Sequence, residues 1–291
     1  MTAADPGPLT PQSLVKDTHE LLSLPEVFLR INSLINDGSS SFREIAAAAS
    51  LDPALAARML KIVNSPYYGC VARIDTLPRA LTIIGLEDFY HLLLSVSASE
   101  SFRKIPPDLL TLGDVWLHSV HCAAIARQVA RASSVLHAER FFVAGLLHRV
   151  GSLVLCHHCP EVMRVILERC KGHSALLAEL EQQAFGFTHA DVSAALAQTW
   201  GLPESLREMI GCYLEPERAG AFAFDAALLH LAWGLKNLEL EGGAVREGLP
   251  PLVSRVSAWW APEEPVLLAV LAEAPPRIEE TLRFLSPARA R

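Results

Sequence analysis

The sequence predicts an all-α protein made of two helical bundles, a small N-terminal one and a larger C-terminal one. Three observations lead there. Helix start and stop signals recur along the chain, apolar residues return at spacings of three and four, and the strict alternation of a half-buried strand is almost absent. Ser41-Phe42-Arg43-Glu44 forms a capping box that opens a short alanine-rich helix, with Glu44 able to reach back to the cap amide. Asp52 caps the next helix and Pro53 takes its first position. Leu55, Met59, Leu60 and Val63 share one face of that helix, and Asn64-Ser65-Pro66 stops it. After a loop through Gly69, a short helix from about 77 to 84 ends at Gly85, which suits a left-handed stop, and another helix runs from about 87 to 102.

Lys104-Ile105-Pro106-Pro107-Asp108 breaks the pattern, because two prolines cannot continue a helix. The expected boundary lies here, giving an N-terminal helical subdomain over residues 1–105 and a larger one over 106–291. Long helices are expected near 110–131 and 138–157. Shorter ones follow near 159–170, 174–185, 189–200, 203–214 and 221–238. Residues 240–251 are glycine-rich and read as a loop, and the end of the chain reads as a frayed helix.

With 291 residues, 51% of them hydrophobic and 20% charged, the chain can bury a substantial core. A formal charge of −7 offers no global attraction to nucleic acid or anionic lipid. The first residues, MTAADPGPLTPQS, lack the basic and apolar regions of a signal peptide. Apolar runs are interrupted well before about 18 residues, so no membrane span is expected and the cytoplasm is the default location. The six cysteines are scattered, which suits reduced thiols better than a disulfide framework.

Chemistry is concentrated in the histidines. His118, His148 and His189 fall on separate predicted helices, the dispersion by which helical hydrolases bring imidazoles to one divalent metal. Dispersed histidines are also common as hydrogen-bonded, partly buried groups. Cys156 and Cys159 form a C-x-x-C without a second ligand pair, so packing on one helix face is favoured over zinc. The stretch FFVAGLLHRVGSLVL (141–155) places Arg149 directly after His148. Arg149 either sits at a helix surface or fills a cavity and replaces a metal's charge with a fixed cation. Asn64-Ser65-Pro66-Tyr67-Tyr68-Gly69 is a turn whose Tyr67 and Tyr68 are candidate partner contacts, or a helix stop whose tyrosines cover the core edge.

Taken together, these segments resemble the HDOD family, signalling modules related to the HD-type phosphohydrolases. The resemblance rests on Leu24-Pro25-Glu26-Val27, SLDPALAARMLKIVNSPYYG (50–69), ALTIIGLEDFYHLLL (80–94), VWLHSVHCAAIARQVA (115–130), 141–155 and EQQAFGFTHADVSAALAQTWGLPESL (181–206). It covers about residues 12 to 240, with a C-terminal helical extension beyond. The resemblance implies metal-ligand positions at His118, at His148 and the residue after it, at His189, near 213–214 and near 233. This chain has Arg149, Tyr213 and Trp233 where three of those ligands would stand. A dication about 5 Å from Arg149 would be repelled by roughly 6–7 kcal/mol at an effective dielectric near 20.

The expectation is therefore a protein that is not an enzyme and uses no metal or other cofactor. It would be a regulatory module in bacterial signal transduction, acting through signalling proteins of cyclic-di-GMP or two-component circuits. His118, His148, Arg149, His189, Tyr213 and Trp233 would form a relict pocket. Two alternatives compete. A metal-dependent phosphohydrolase would use the three retained histidines. A nucleic-acid-binding regulator would use helices 41–64 as a helix-turn-helix, but Arg43, Arg58 and Lys61 give it few cations.

Overall fold

The computed structural model describes residues 9–18, 23–65, 68, 70, 72–101, 112–240 and 245–273. Among them regular structure is entirely helical and no strand occurs. Helices α2 (Glu26–Asn36), α3 (Phe42–Ala49) and α4 (Pro53–Val63) pack on the long α5 (Leu77–Ser101). The predicted start signals operate as read. Ser41 accepts from the Glu44 amide while the Glu44 carboxylate accepts from the Ser41 amide at 2.8 Å, and the Asp52 carboxylate accepts from the amides of Ala54 and Leu55. Asn64 ends α4, and its side chain both donates to and accepts from the backbone of Ile74, tying the following loop down. Gly85 breaks α5 with φ at +82°, a conformation that side-chain-bearing residues seldom adopt.

The second set comprises α6 (Leu112–Ala132), α7 (Glu139–Leu147), α8 (Val150–His158), α9 (Pro160–Cys170), α10 (Ser174–Phe185), α11 (His189–Thr199), α12 (Glu204–Cys212), α13 (Ala223–Leu240) and α14 (Val245–Val256). Helix α6 packs on α7 and α13, α11 on α8 and α12, and α14 on α13. The sets meet where α5 lies on α7, and one continuous apolar core runs through both. The first helix, α1 (Pro11–Asp17), lies against α11 and α8 of the second set, burying Leu14 and Val15. The predicted boundary at 105/106 lies outside the described residues.

Two helix expectations need correction. The single helix expected over 138–157 is two, α7 and α8, broken at His148-Arg149. The His148 ring bonds the Gly145 carbonyl, the oxygen that an unbroken helix would offer to the Arg149 amide. The break is held by Ser193 of α11, whose hydroxyl accepts from the Gly151 amide at 2.8 Å. A Cβ on Gly151 would overlap the His189 carbonyl, so glycine is what lets α8 and α11 approach this closely. The glycine-rich loop expected over 240–251 is helical from Val245, with Pro250 and Pro251 inside α14. Its Gly248 faces Leu238 of α13 with no room for a Cβ, so the glycine serves helix packing rather than a turn.

Two described stretches, Leu77–Ser101 and Glu139–His158, are long and apolar enough to cross a membrane by composition. Both are broken, at Gly85 and at His148-Arg149, and most of each is buried inside the protein, which marks them as core helices.

Candidate functional site

Five elements converge on one polar interior. Helix α6 supplies His118 and His121, the α7–α8 break supplies His148 and Arg149, the N-terminus of α11 supplies His189, and the residue after α12 is Tyr213. Helix α13 adds His230, Trp233 and Lys236. The α11 N-terminus is fixed by a capping box, in which Thr188 caps and Asp191 reaches back to its amide at 2.8 Å.

His189 is the centre of a buried chain. Its Nδ1 lies 2.5 Å from Glu181 Oε2, and its backbone amide donates to the same oxygen at 2.9 Å. Its Nε2 lies 2.7 Å from the Tyr213 hydroxyl. A carboxylate can only accept, so Nδ1 carries the proton and Nε2 accepts from Tyr213. Burial pushes the Tyr213 phenol well above its ordinary range, so it remains protonated and donates. The imidazole nitrogen that a metal would need is therefore already engaged.

His148 is fully buried. Its Nδ1 donates to the Gly145 carbonyl at 2.6 Å, and its ring meets Tyr213 edge to face with centroids 5.2 Å apart. Its Nε2 is buried without a hydrogen-bond partner. Burial, then the nearby Lys236 ammonium, holds this imidazole neutral well below its ordinary pKa. His121 is shifted down for the same two reasons. His118 is half-buried, and its Nδ1 lies 3.5 Å from the Lys236 Nζ.

Lys236 and Arg149 set the sign of this interior. Lys236 is fully buried and Arg149 is 9% exposed, with its Nε buried and unpartnered. Arg149 thus lies inward rather than at a helix surface. The structure brings together His148, His189, Tyr213 and Trp233, the last two with ring centroids 5.9 Å apart. Lys236 links His118 to the same interior.

Sequence reading missed Lys236 and Glu181. A lysine three residues after Trp233 in the largely apolar LLHLAWGLKNL was the available signal for the first. Glu181, eight residues before His189, carried no periodic signal. The candidate contact Tyr68 is half-buried, packs on the core and lies under the Arg127 guanidinium, 5.8 Å from the ring centre. Tyr67 lies outside the described residues. Cys156 is buried with its thiol pushed up to about 12 by burial, and Cys159 is raised for the same reason, which fits packing rather than reactivity.

These features can be set beside known proteins. The HDOD domain family matches residues 21–216. The chain belongs to the HDOD family. The match is shorter at both ends than the resemblance read from the sequence, and Trp233 and Lys236 lie beyond it. An HDOD domain protein of unknown function from Geobacter sulfurreducens has the same fold, with TM-score 0.72 and 22% identity, covering 94% of this chain and 97% of the other. A provisionally named phosphohydrolase from Shewanella amazonensis SB2B aligns at TM-score 0.75 and 21% identity over 94% and 98% of the two chains. A provisionally named signal transduction protein from Marinobacter aquaeolei VT8 aligns at 0.67 and 21%, covering 94% of this chain and 61% of that one. An uncharacterized protein of Treponema pallidum is 28% identical over 194 residues, and the matched part spans 37% of its length. At these identities the structural likenesses establish the all-α HD-like fold.

The metal that related HD proteins use does not fit this HDOD chain. Among the described residues no group of three or more His, Cys, Asp or Glu side chains is placed to hold one. A divalent ion would meet open imidazole nitrogens on His148 and His121, with His189 capped by Tyr213 and a buried ammonium beside His118. Neither Lys236 as ammonium nor Arg149 can ligate a cation.

Proposed function

We propose that this HDOD protein is a non-catalytic regulatory module of bacterial signal transduction, acting in the cytoplasm through protein partners. The observation that carries the reading is the engagement of the relict pocket by the protein itself. Tyr213 occupies His189 Nε2 while Lys236 lies beside His118. Hydrolysis of a phosphate ester at this fold needs a metal to activate water and to neutralise developing charge. The buried cations replace the second role and offer nothing for the first. The contacts from Lys236 to His118, between α13 and α6, and from the Gly151 amide to Ser193, between α8 and α11, instead hold these helices in one arrangement, which suits a scaffold presenting a surface. Cyclic-di-GMP and two-component proteins are the partner classes to try first.

The test is metal content of the untagged protein, purified without chelator and measured by inductively coupled plasma mass spectrometry. It is run beside hydrolysis of cyclic-di-GMP and bis-p-nitrophenyl phosphate with added Mn²⁺. Well under one equivalent of metal and no hydrolysis are expected. One or two equivalents of Fe, Mn, Ni or Zn, with hydrolysis lost in His148→Ala, would overturn the reading in favour of a phosphohydrolase.

A further inference from the structure

A groove of about 320 Å³ lies between the start of α1 and helices α11 and α12. None of the relict positions lines it, and neither Lys236 nor Leu214 does. Its volume is at the lower end of the roughly 300–1,000 Å³ of small-ligand sites. Phe187, Ala194 and Ala195 give it an apolar side, and the exposed Gln12 and Gln198 line it from α1 and α11. A Cβ on Gly211 would come within 2.9 Å of the Ala194 Cβ, so α11 and α12 approach closely along this groove.

Four charged side chains line the groove, and two are already committed. Arg218 is shared between Asp191 and Glu215, at 3.3 Å from each. Asp191 also accepts from the Thr188 amide and hydroxyl. Arg207 and Glu208 remain. The half-buried Arg207 side chain has no hydrogen bond or ion pair among the described residues, and its Nε is buried without a partner. The half-buried Glu208 carboxylate accepts from the Cys212 thiol at 3.7 Å, and a thiol is a weak donor. Arg207 and Glu208 are consecutive on α12, so they do not face each other. The groove thus offers a cation and an anion at separate points.

Two unmet charges of opposite sign select a dipolar ligand. A buried guanidinium N–H is costly to leave without an acceptor, and the planar arginine fork matches a carboxylate. A phosphate brings more negative charge, which Glu208 and Asp191 oppose. A plain amine leaves Arg207 unmet and adds a second cation beside it.

We propose that this groove binds a free α-amino acid with an apolar side chain. Its carboxylate lies on Arg207, its ammonium on Glu208 and its side chain against Phe187, Ala194 and Ala195. The inference goes beyond the regulatory reading and does not rest on it. A ligand held between α1 and the second set favours the docked position of α1, because it binds that arrangement better than one with α1 released.

Isothermal titration calorimetry on the full chain tests it, with L-valine, L-leucine and L-phenylalanine as probes. At least one is expected to bind saturably. The tightest is then compared with its two halves, the same molecule without the amino group and without the carboxyl group. Each half is expected to bind about tenfold more weakly or worse. Arg207→Gln is expected to weaken the amino acid about tenfold and to narrow its lead over the amine half. Glu208→Gln is expected to weaken it severalfold and to narrow its lead over the carboxylic acid half. If Arg207→Gln fails to fold, Glu208→Gln, which gives up one weak thiol contact, decides. The proposal is overturned if no probe gives saturable heat at about 10 mM, if either half binds as well as the amino acid, if folded Arg207→Gln binds normally, or if Glu208→Gln leaves the lead over the acid half unchanged. Metal analysis of the same preparation reads the regulatory proposal separately.

Discussion

Helices α2–α5 and helices α6–α13 contribute to the same apolar core but bury different chemistry. In α5 the buried polar residues are His91 and the serines 95, 97, 99 and 101. Three of those serines donate to carbonyls of their own helix, from Ser95 to His91, Ser99 to Val96 and Ser101 to Ser97. The described residues with buried charged side chains, Arg127, Glu139, Arg149, Glu181, Asp225 and Lys236, all lie from α6 onward. The first set shows that helices of this length pack without interior charge. Of the charges in the second set, Arg149, Glu181 and Lys236 lie at the candidate site, and each is costly to bury and must be compensated.

The largest effect should come from breaking the Arg127–Glu139 ion pair, which joins α6 to the start of α7 with both side chains almost fully buried. Arg127→Ala or Glu139→Ala is expected to cost about 3–5 kcal/mol in urea unfolding, because the survivor is a buried charge that has lost this ion pair. The double variant Arg127→Met/Glu139→Leu should recover most of that loss. A matched change in the first set, Arg58→Ala against Glu100, involves side chains 21% and 29% exposed and should cost about 1 kcal/mol or less. Equal losses in the two pairs would erase the contrast.

Acid should strike both regions through their buried histidines. Burial, reinforced by Arg140 and His137, lowers His91 from 6.5 to about 4. The unfolded chain then binds more protons than the folded one between those values, so stability rises with pH across the window. The contribution of His91 is fully present above about 6.5 and is lost as pH falls towards 4, on the order of 3 kcal/mol. His148, shifted well below 6.5, acts with the same sign in the second set. Urea midpoints are expected to drop from pH 6.5 to 4, and His91→Phe should flatten that slope. An unchanged slope in His91→Phe would mean that the acid sensitivity lies wholly in the second set.

The Glu181–His189–Tyr213 chain sharpens the comparison at an intermediate scale. Tyr213→Phe removes the donor on His189 Nε2 and should cost about 1–2 kcal/mol. Glu181→Ala removes the acceptor of two bonds and should cost about 3 kcal/mol. Building ligands back with Arg149→Asp, Tyr213→His, Trp233→Asp and Lys236→Met together should raise Zn²⁺ or Ni²⁺ binding measurably above that of the parent. Failure of that variant to take up metal while folded would mean that the four positions do not account for the loss of the site.

Much of the fold was legible because its signals are local. Ser41 and Asp52 announce helix starts through contacts within three residues, and Gly85 announces a break through its own backbone. The break at His148-Arg149 was not legible, since it depends on Ser193, over 40 residues away, and on the room left by Gly151. Gly248 misled for the same reason: a glycine serving a close helix contact and a glycine serving a loop look alike in one dimension. At the site, Arg149 was legible as a substitution beside a histidine. Lys236 and Glu181 were not, because what matters is the partner each meets in space.

The smallest effects come from the capping boxes of α3 and α11. Ser41→Ala at the start of α3 and Thr188→Ala at the start of α11 should each cost about 1 kcal/mol. Equal energies should nonetheless have unequal consequences. Ser41 caps an exposed helix start whose loss stays local, whereas Thr188 directly precedes His189, whose backbone amide and ring both bond Glu181. In ¹H–¹⁵N spectra, Ser41→Ala is expected to move resonances only around α3. Thr188→Ala is expected to move His189 and Tyr213, and through the Tyr213 carbonyl bonded to His230, the residues of α13. If Thr188→Ala perturbs only its own turn, the polar interior of the second set is a collection of independent contacts rather than one connected unit.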